Sequence, residues 1–391
     1  MDWGRTVTIG VTSLIALAVV GFFTVFPALY DWHVNALVPN PPPPASKEAL
    51  ALHKRLDVVD LHADPLLWKR DLTKARNRGH VDVPRMEAGN MALQVFSSVT
   101  KTPRGLNYDR NRADSDNITT LVIAQLQPTR TWDSLLQRSL FHAEKLHRFA
   151  ERSDGRLRVI RTVQDLDALL ADRAAGKQVT GGLLSIEGLH NLQGDFDNLA
   201  RLRDAGYRMA SPTHFFDNEV AGSVAGLEKG SLTSLGRQVI RDMQRGGMIV
   251  DLAHASHATI AEVLEMAVRP VVFSHGGVKG TCDNNRNLSD DEIRGIAATG
   301  GVVGIGFWEA AVCDTSVDGI VRAMLHVRDL VGVDHVALGS DWDGAVTTVF
   351  DSAHVSALTE GLMRAGLSEE DIAKIMGGNA IRVMRETLPR N

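Results

Sequence analysis

Val59-Asp60-Leu61-His62-Ala63-Asp64 closes the first of a series of short apolar runs, and its alternation decides how the chain is read. Successive side chains of an extended strand point to opposite faces, so His62 and Asp64 share one side. An imidazole and a carboxylate converging at a strand end have no packing reason to be there. The placement recurs in Ser185-Ile186-Glu187-Gly188, Asp251-Leu252-Ala253-His254, Phe273-Ser274-His275-Gly276 and Gly339-Ser340-Asp341-Trp342-Asp343-Gly344.

Working outward, eight apolar, β-rich runs are predicted as strands: Asp57 to Leu61, Ala92 to Val99, Gly182 to Ile186, Met209 to Pro212, Met248 to Leu252, Val271 to Ser274, Val302 to Phe307 and Val336 to Gly339. Between and after them, Ile118 to Ala150, Asp165 to Ala175, Asp195 to Ala205, Ser234 to Arg245, Ala258 to Met266, Asp290 to Ala298, Val317 to Leu330 and Ser356 to Met376 carry helical periodicity. Eight strand-helix units predict an α/β fold, a (β/α)₈ barrel of TIM type, whose chemistry sits where each strand ends and its loop begins. The recurring residues fall at that rim.

The rest of the chain bounds the problem. Its 391 residues, 44% hydrophobic and 23% charged, suffice for a large core. With 42 Lys+Arg against 47 Asp+Glu the net charge is -5, and no basic stripe is interleaved with aromatics, so nucleic acid is excluded as a partner. From Thr6 to Tyr30 there is no charged residue, which is long enough for the ~20 apolar residues that cross a bilayer. No small-x-small cleavage pattern follows, so a retained transmembrane helix is expected. Arg5 precedes the span and the next Lys or Arg is Lys47, which predicts a cytoplasmic N-terminus with the remainder periplasmic or extracellular. Pro41 to Pro44 favours extended polyproline II and reads as a spacer that holds the body off the membrane. The expected organisation is residues 1–31 as cytoplasmic N-terminus and anchor, 32–46 as Pro-rich linker and 47–391 as the barrel.

At the barrel rim His62, His254 and His275 with Asp64 and Glu187 offer three imidazoles and two carboxylates, with Asp341 beside them. Zn²⁺ takes such N/O ligands, and one carboxylate can bridge two ions in a hydrolase. His190, three residues after Glu187, is a candidate supporting residue. His53, His80, His142, His147, His326, His335 and His354 lie in helices or loops and receive no ligand role, and His257 falls at a helix start.

These segments resemble the membrane dipeptidases, the renal-dipeptidase-like metallopeptidases, from about Leu56 to Arg385. Asp60-Leu61-His62-Ala63-Asp64 is similar to that family's opening element and His80-Val81-Asp82-Val83-Pro84-Arg85 to its second. Ser185 to His190, Thr213-His214, Asp251 to Ser256, Pro270 to His275, Arg286-Asn287 and Gly339 to Gly344 follow in the family's order. The resemblance implies a barrel of the metal-dependent hydrolase kind with two Zn²⁺ ions, one held by His62, Asp64 and Glu187, the other by Glu187, His254 and His275. It implies that His214 contacts the substrate carbonyl, Arg286 receives the dipeptide's terminal carboxylate and Asp341 handles protons at the scissile amide. A metal-bridged hydroxide is then the expected nucleophile, since a metal lowers the pKa of its water to ~7. The partners expected are small dipeptides and the membrane, with a homodimer left open.

The chain departs from the family where many members carry a tyrosine after strand 7. It reads Gly306-Phe307-Trp308-Glu309 there, so Trp308 is expected to wall the pocket without supplying a phenol. Gly89 to Ala92 and Phe215 to Asn218 also differ. A deaminase or lactonase of the wider amidohydrolase kind is the competing enzyme, but many of those open with His-x-His and bridge metals through a strand-4 lysine. Here His62-x-Asp64 and Thr213-His214 stand instead. A metal-free scaffolding barrel at the membrane would require a lost ligand, and none is lost. Cys282 follows strand 6 and Cys313 follows strand 7, so a disulfide between adjacent loops is expected outside the reducing cytosol.

Overall fold

The computed structural model describes residues 3–39 and 41–390. Its strands are β1 (Val58–Ala63), β2 (Met91–Val99), β3 (Leu157–Val159), β4 (Thr180–Glu187), β5 (Tyr207–Ser211), β6 (Ile249–Val250), β7 (Val272–Phe273), β8 (Val302–Ile305) and β9 (Val336–Leu338). They pair in the order β6-β5-β4-β2-β1-β9-β8-β7, every ladder parallel. A bridge between Asp251 and Val272 joins the two ends, so the eight predicted runs form a nearly closed barrel with helices outside. The unpredicted β3 is an extra strand on the first residues of β4. Three residues reading Leu-Arg-Val are too short to register as a periodic run.

Val59 and Leu61 belong to one apolar cluster with Leu93, Val95, Leu183, Met209, Ile249, Val272, Val302 and Ala337, drawn from all eight barrel strands and joined by Ala380 and Met384 of the C-terminal helix Asn379–Thr387, so it fills the barrel interior below the site. A register shift between Asp60 and Ala63 marks a bulge in β1 beside the site, and His62 and Asp64 reach the rim together. Two buried carboxylates stitch neighbouring strands. Asp60 accepts from the Ser340 backbone N–H at 2.7 Å and from its hydroxyl at 2.8 Å, and Asp251 accepts from the Ser274 N–H at 2.9 Å and hydroxyl at 2.6 Å.

Two predicted helices are interrupted. The stretch Ile118 to Ala150 divides into Ile118–Ala124, a 3₁₀ turn Thr129–Thr131 and Leu135–Glu151, because Leu126 adopts φ 55°, Pro128 follows, and the Ser134 hydroxyl caps a new start by accepting from Gln137 N. Likewise Ser356 to Met376 stops at Arg364, turns at Gly366 (φ 79°) and restarts where Ser368 caps Glu369–Ala373.

The apolar helix Trp3–Thr24 contains an 18-residue window, Val7–Thr24, of mean hydropathy 2.2 that is not buried by the body, so it is long and apolar enough to cross a membrane. The stretch beyond it differs from a free spacer. Helix Phe26–Val34 docks on the barrel mouth through Asp31, which accepts from Arg78 Nε at 2.9 Å and pairs with Arg70 Nε at 3.3 Å, while Arg70 also meets Asp343 at 2.9 Å. Asn35 Oδ1 accepts from the Ala345 N–H, and Leu37 bridges Thr348. The proline run therefore follows the docked segment, and only nonlocal pairing reveals this. Arg70→Ala leaves two buried carboxylates short of a partner, and a loss of about 3–5 kcal/mol is expected in chemical denaturation of the full chain.

Candidate active site

The strand ends deliver their side chains to one point. Glu187 Oε1 lies 2.9 Å from His254 Nε2, 3.2 Å from His275 Nε2, 3.4 Å from His214 Nε2 and 3.7 Å from His62 Nε2. His62 Nε2 is 3.4 Å from Asp64 Oδ2 and 3.7 Å from Asp341 Oδ1. Three groups of possible ligand atoms result: His62, Glu187 and His275; Glu187, His214 and His254; His62, Asp64 and Asp341. Every residue expected to bind metal is thus gathered, and Glu187 belongs to two groups. His214 and Asp341, expected to serve substrate and protons, also stand within ligand reach.

Local backbone makes this convergence possible. Gly188 (φ 90°) turns the chain away after Glu187, and a Cβ there would stand 2.5 Å from His190 Nδ1. Gly276 (φ 149°) follows His275, where a Cβ would stand 2.4 Å from the Phe273 ring and 3.0 Å from Arg286 Nη1. His254 and Asp341 themselves occupy the left-handed region at φ 63° and 61°. Such conformations cost about 1–3 kcal/mol for non-glycine residues and persist where surroundings hold them. The His254 carbonyl is held by Val224 N at 2.9 Å and Thr213 Oγ1 at 3.0 Å, and Asp341 N donates to the His62 carbonyl at 3.2 Å.

The electrostatics favour a cation. Burial pushes the Glu187 carboxyl well up, and Asp64 beside it adds to the shift. Burial likewise raises Asp341, to about 8. Burial holds His214, His254 and His275 well below the usual imidazole range, so they are neutral and have lone pairs to give. For His62 burial acts downward, but attraction to Asp64 and Glu187 outweighs it and pushes the ring to about 10. Clustered carboxylates thus draw positive charge to their centre. Both His62 ring nitrogens, Asp64 Oδ1 and His254 Nδ1 are buried without a hydrogen-bond partner, which a metal ion bound among imidazole and carboxylate donors would relieve for those atoms facing it.

The ring of His275 has a fixed orientation. The Ser274 hydroxyl donates its one proton to Asp251, so at 2.9 Å it accepts from His275 Nδ1–H and leaves the Nε2 lone pair facing Glu187. Ser274→Ala is expected to lower metal affinity by about 10–100-fold, read by competition with a chelator.

Around this centre Arg286 is buried, with Nη2 donating to the His275 carbonyl at 2.7 Å and Nε and Nη1 unpartnered. Its guanidinium stands over the Phe273 ring at 5.2 Å. Trp308 lines the same cavity, of about 440 Å³, as Asp64, Glu187, His214, His254, Arg286 and Asp341. His190 lies one layer away, paired with Thr100 Oγ1 at 2.8 Å. Sequence reasoning missed Tyr108, which also lines the cavity and accepts from Trp308 Nε1 at 3.2 Å. A phenol is therefore present after all, brought from the loop after β2. Its partner is 200 residues away in sequence, and no periodic signal marks it. Cys282 and Cys313 form the expected disulfide, with Cα atoms 5.4 Å apart, between the loop of Arg286 and that of Trp308.

Comparison with known proteins agrees with this geometry. The model of the membrane dipeptidase family, peptidase family M19, matches residues 46–389. Dipeptidase tcpJ of Claviceps purpurea is 30% identical over 79% of this chain and 69% of its own, and dipeptidase verJ of Clonostachys rogersoniana is 31% identical over 78% and 75%. In fold, the chain is similar to the probable dipeptidase PvdM from Pseudomonas aeruginosa (TM-score 0.74, 19% identity, 88% of this chain and 98% of that one). It is also similar to a Rhodobacter sphaeroides metallopeptidase liganded with a phosphinate mimic of the dipeptide L-Ala-D-Ala (TM-score 0.69, 23% identity, 85% and 99%). Seven ligand-type residues meeting at the mouth of a parallel barrel and a family match along nearly the whole body lead to one assignment: the chain belongs to the membrane dipeptidase family of metallopeptidases.

Proposed function

We propose that the protein hydrolyses dipeptides with two Zn²⁺ ions, His62, Asp64 and Glu187 holding one and Glu187, His254 and His275 the other. The observation that carries this reading is the convergence of His62, His254 and His275 on Glu187 Oε1 within 3.7 Å. When bound, such ions polarise a carbonyl and lower the pKa of water to ~7, which makes hydroxide available at neutral pH.

The chain's own residues do the remainder. Arg286, anchored on the His275 carbonyl, keeps Nε and Nη1 for the substrate's C-terminal carboxylate, the acceptor a buried cation needs. His214, neutral and beside Glu187, orients the scissile carbonyl. Asp341 exchanges the proton that must reach the leaving amine. Trp308 and Tyr108 wall the cavity against water. Residues 47–391 are the catalytic unit. Residues 1–31 anchor it, with the body on the periplasmic or extracellular side, where a disulfide such as Cys282–Cys313 persists.

The test is hydrolysis of a dipeptide panel by zinc-loaded full-length protein, with metal content measured alongside. Arg286→Ala is expected to raise KM strongly, and amidation of the substrate's C-terminus to have little further effect in that variant. The two changes remove one ion pair and should be non-additive. Full additivity would mean the carboxylate is read elsewhere.

A further inference from the structure

The active-site cavity does not end at the polar centre. Its lining continues past Asp64 and Asp341 to the apolar side chains of Leu67, Trp68, Ile118 and Leu121 and to Phe26 and Tyr30 of the docked helix, which border this recess while staying 37% and 40% exposed. Leu67, Trp68, Ile118 and Leu121 belong to an apolar cluster separate from the barrel's cores, against which Val34 of the same helix packs. Phe26, Tyr30 and Val34 recur every four residues and so share one face of the docked helix, and Phe22 stands four residues before Phe26 near the end of helix Trp3–Thr24. Phe22 stacks on Phe26 with ring centroids 5.6 Å apart, Phe26 on Tyr30 at 5.7 Å, and Tyr30 lies 6.0 Å from Trp68. One aromatic column thus runs from the end of the membrane-length helix to the substrate cavity. Asp31 is 1% exposed and clamped by Arg70 and Arg78, which fixes the column in place.

The recess also has a direction. Leu67 and Trp68 follow Asp64 in the chain, and its rim at Gly344 to Val346 follows Asp341, whereas Arg286 lies against His275 and Phe273 with Tyr108 and Trp308 nearby. A dipeptide with its carboxylate on Arg286 therefore turns its N-terminal residue toward the recess. We infer that Phe26 and Tyr30 make the juxtamembrane helix part of the substrate site, and that the preferred substrates are dipeptides whose N-terminal residue carries a large apolar side chain. This rests on the dipeptidase reading above.

The experiment uses the full zinc-loaded chain in phosphatidylcholine nanodiscs and compares kcat/KM for Leu-Ala and Phe-Ala with that for Ala-Ala. The wild type should favour the larger residues by about tenfold or more, the range that a few methylenes contribute in an apolar pocket. Tyr30→Ala and Phe26→Ala should each cut that ratio several-fold, Tyr30→Phe should retain it, and Leu17→Ala, in the exposed apolar helix, should leave it unchanged. Should removal of the ring impair folding, Val346→Trp fills the recess from the barrel side and is expected to lower the same ratio. A ratio near one in the wild type, or one that survives both Tyr30→Ala and Val346→Trp, overturns the inference, as does equal loss on small and large substrates. Failure of the wild type to cleave any of the three dipeptides would instead sink the dipeptidase reading.

Discussion

Glu187→Gln is expected to abolish dipeptide hydrolysis and to bring bound metal down to one ion or none. The reason is the position of Oε1, 2.9 Å from His254 and 3.2 Å from His275 while also 3.7 Å from His62. An amide keeps the shape but loses the charge, and its nitrogen has no lone pair for a cation, so it cannot bridge two ions. Replacing groups that merely support a metal ligand costs about 10–100-fold in affinity, so loss of a shared ligand should exceed 100-fold. The variant should remain folded, since Glu187 sits at the end of β4 and the ladder to β2 does not need its side chain. Metal analysis with single-turnover assays decides it. Two ions retained with normal turnover would remove Glu187 from the bridging position.

How much of this was legible beforehand follows from what each residue depends on. The barrel and the converging rim depend on alternation within a strand and on repetition between strands, both local patterns. His62, Asp64, Glu187, His254, His275 and Asp341 were for that reason visible without any contact information, and the family resemblance added Arg286, His214 and the role of Asp341. What escaped depends on pairings far apart in sequence. Asp60 and Asp251 look like further site residues, yet they accept from Ser340 and Ser274 on neighbouring strands and work as stitches. Tyr108 lies in a loop without periodicity, and its role emerges only with Trp308 opposite. Asp31 sits at the end of an apolar stretch that reads as anchor and linker, and only Arg70 and Arg78, some forty residues on, turn that stretch into part of the body. The helix breaks at Leu126 and Gly366 were missed because apolar periodicity continued across them while the backbone did not.

Asp341→Asn should give the opposite pattern to Glu187→Gln: both ions retained and turnover lost, by about 10²–10⁴-fold if it transfers the proton that the leaving amine requires. The geometry makes this a sharp test, because Asp341 Oδ1 lies 3.7 Å from His62 Nε2 and shares a group of possible ligand atoms with His62 and Asp64. As a ligand, its replacement would cost metal before it cost chemistry. As a proton carrier, its replacement leaves the metal in place, because an asparagine cannot exchange a proton near neutral pH. The strained backbone at Asp341, φ 61°, favours a residue whose exact aim matters, and the Gly344 N–H donating to its carbonyl at 3.0 Å preserves that aim in the variant. Substrate binding should survive as well, since Arg286 is anchored independently on the His275 carbonyl. The expected signature is therefore a fall in kcat with KM little changed and two metals per chain. A variant that instead loses an ion and regains part of its activity at high metal concentration would assign Asp341 to the metal.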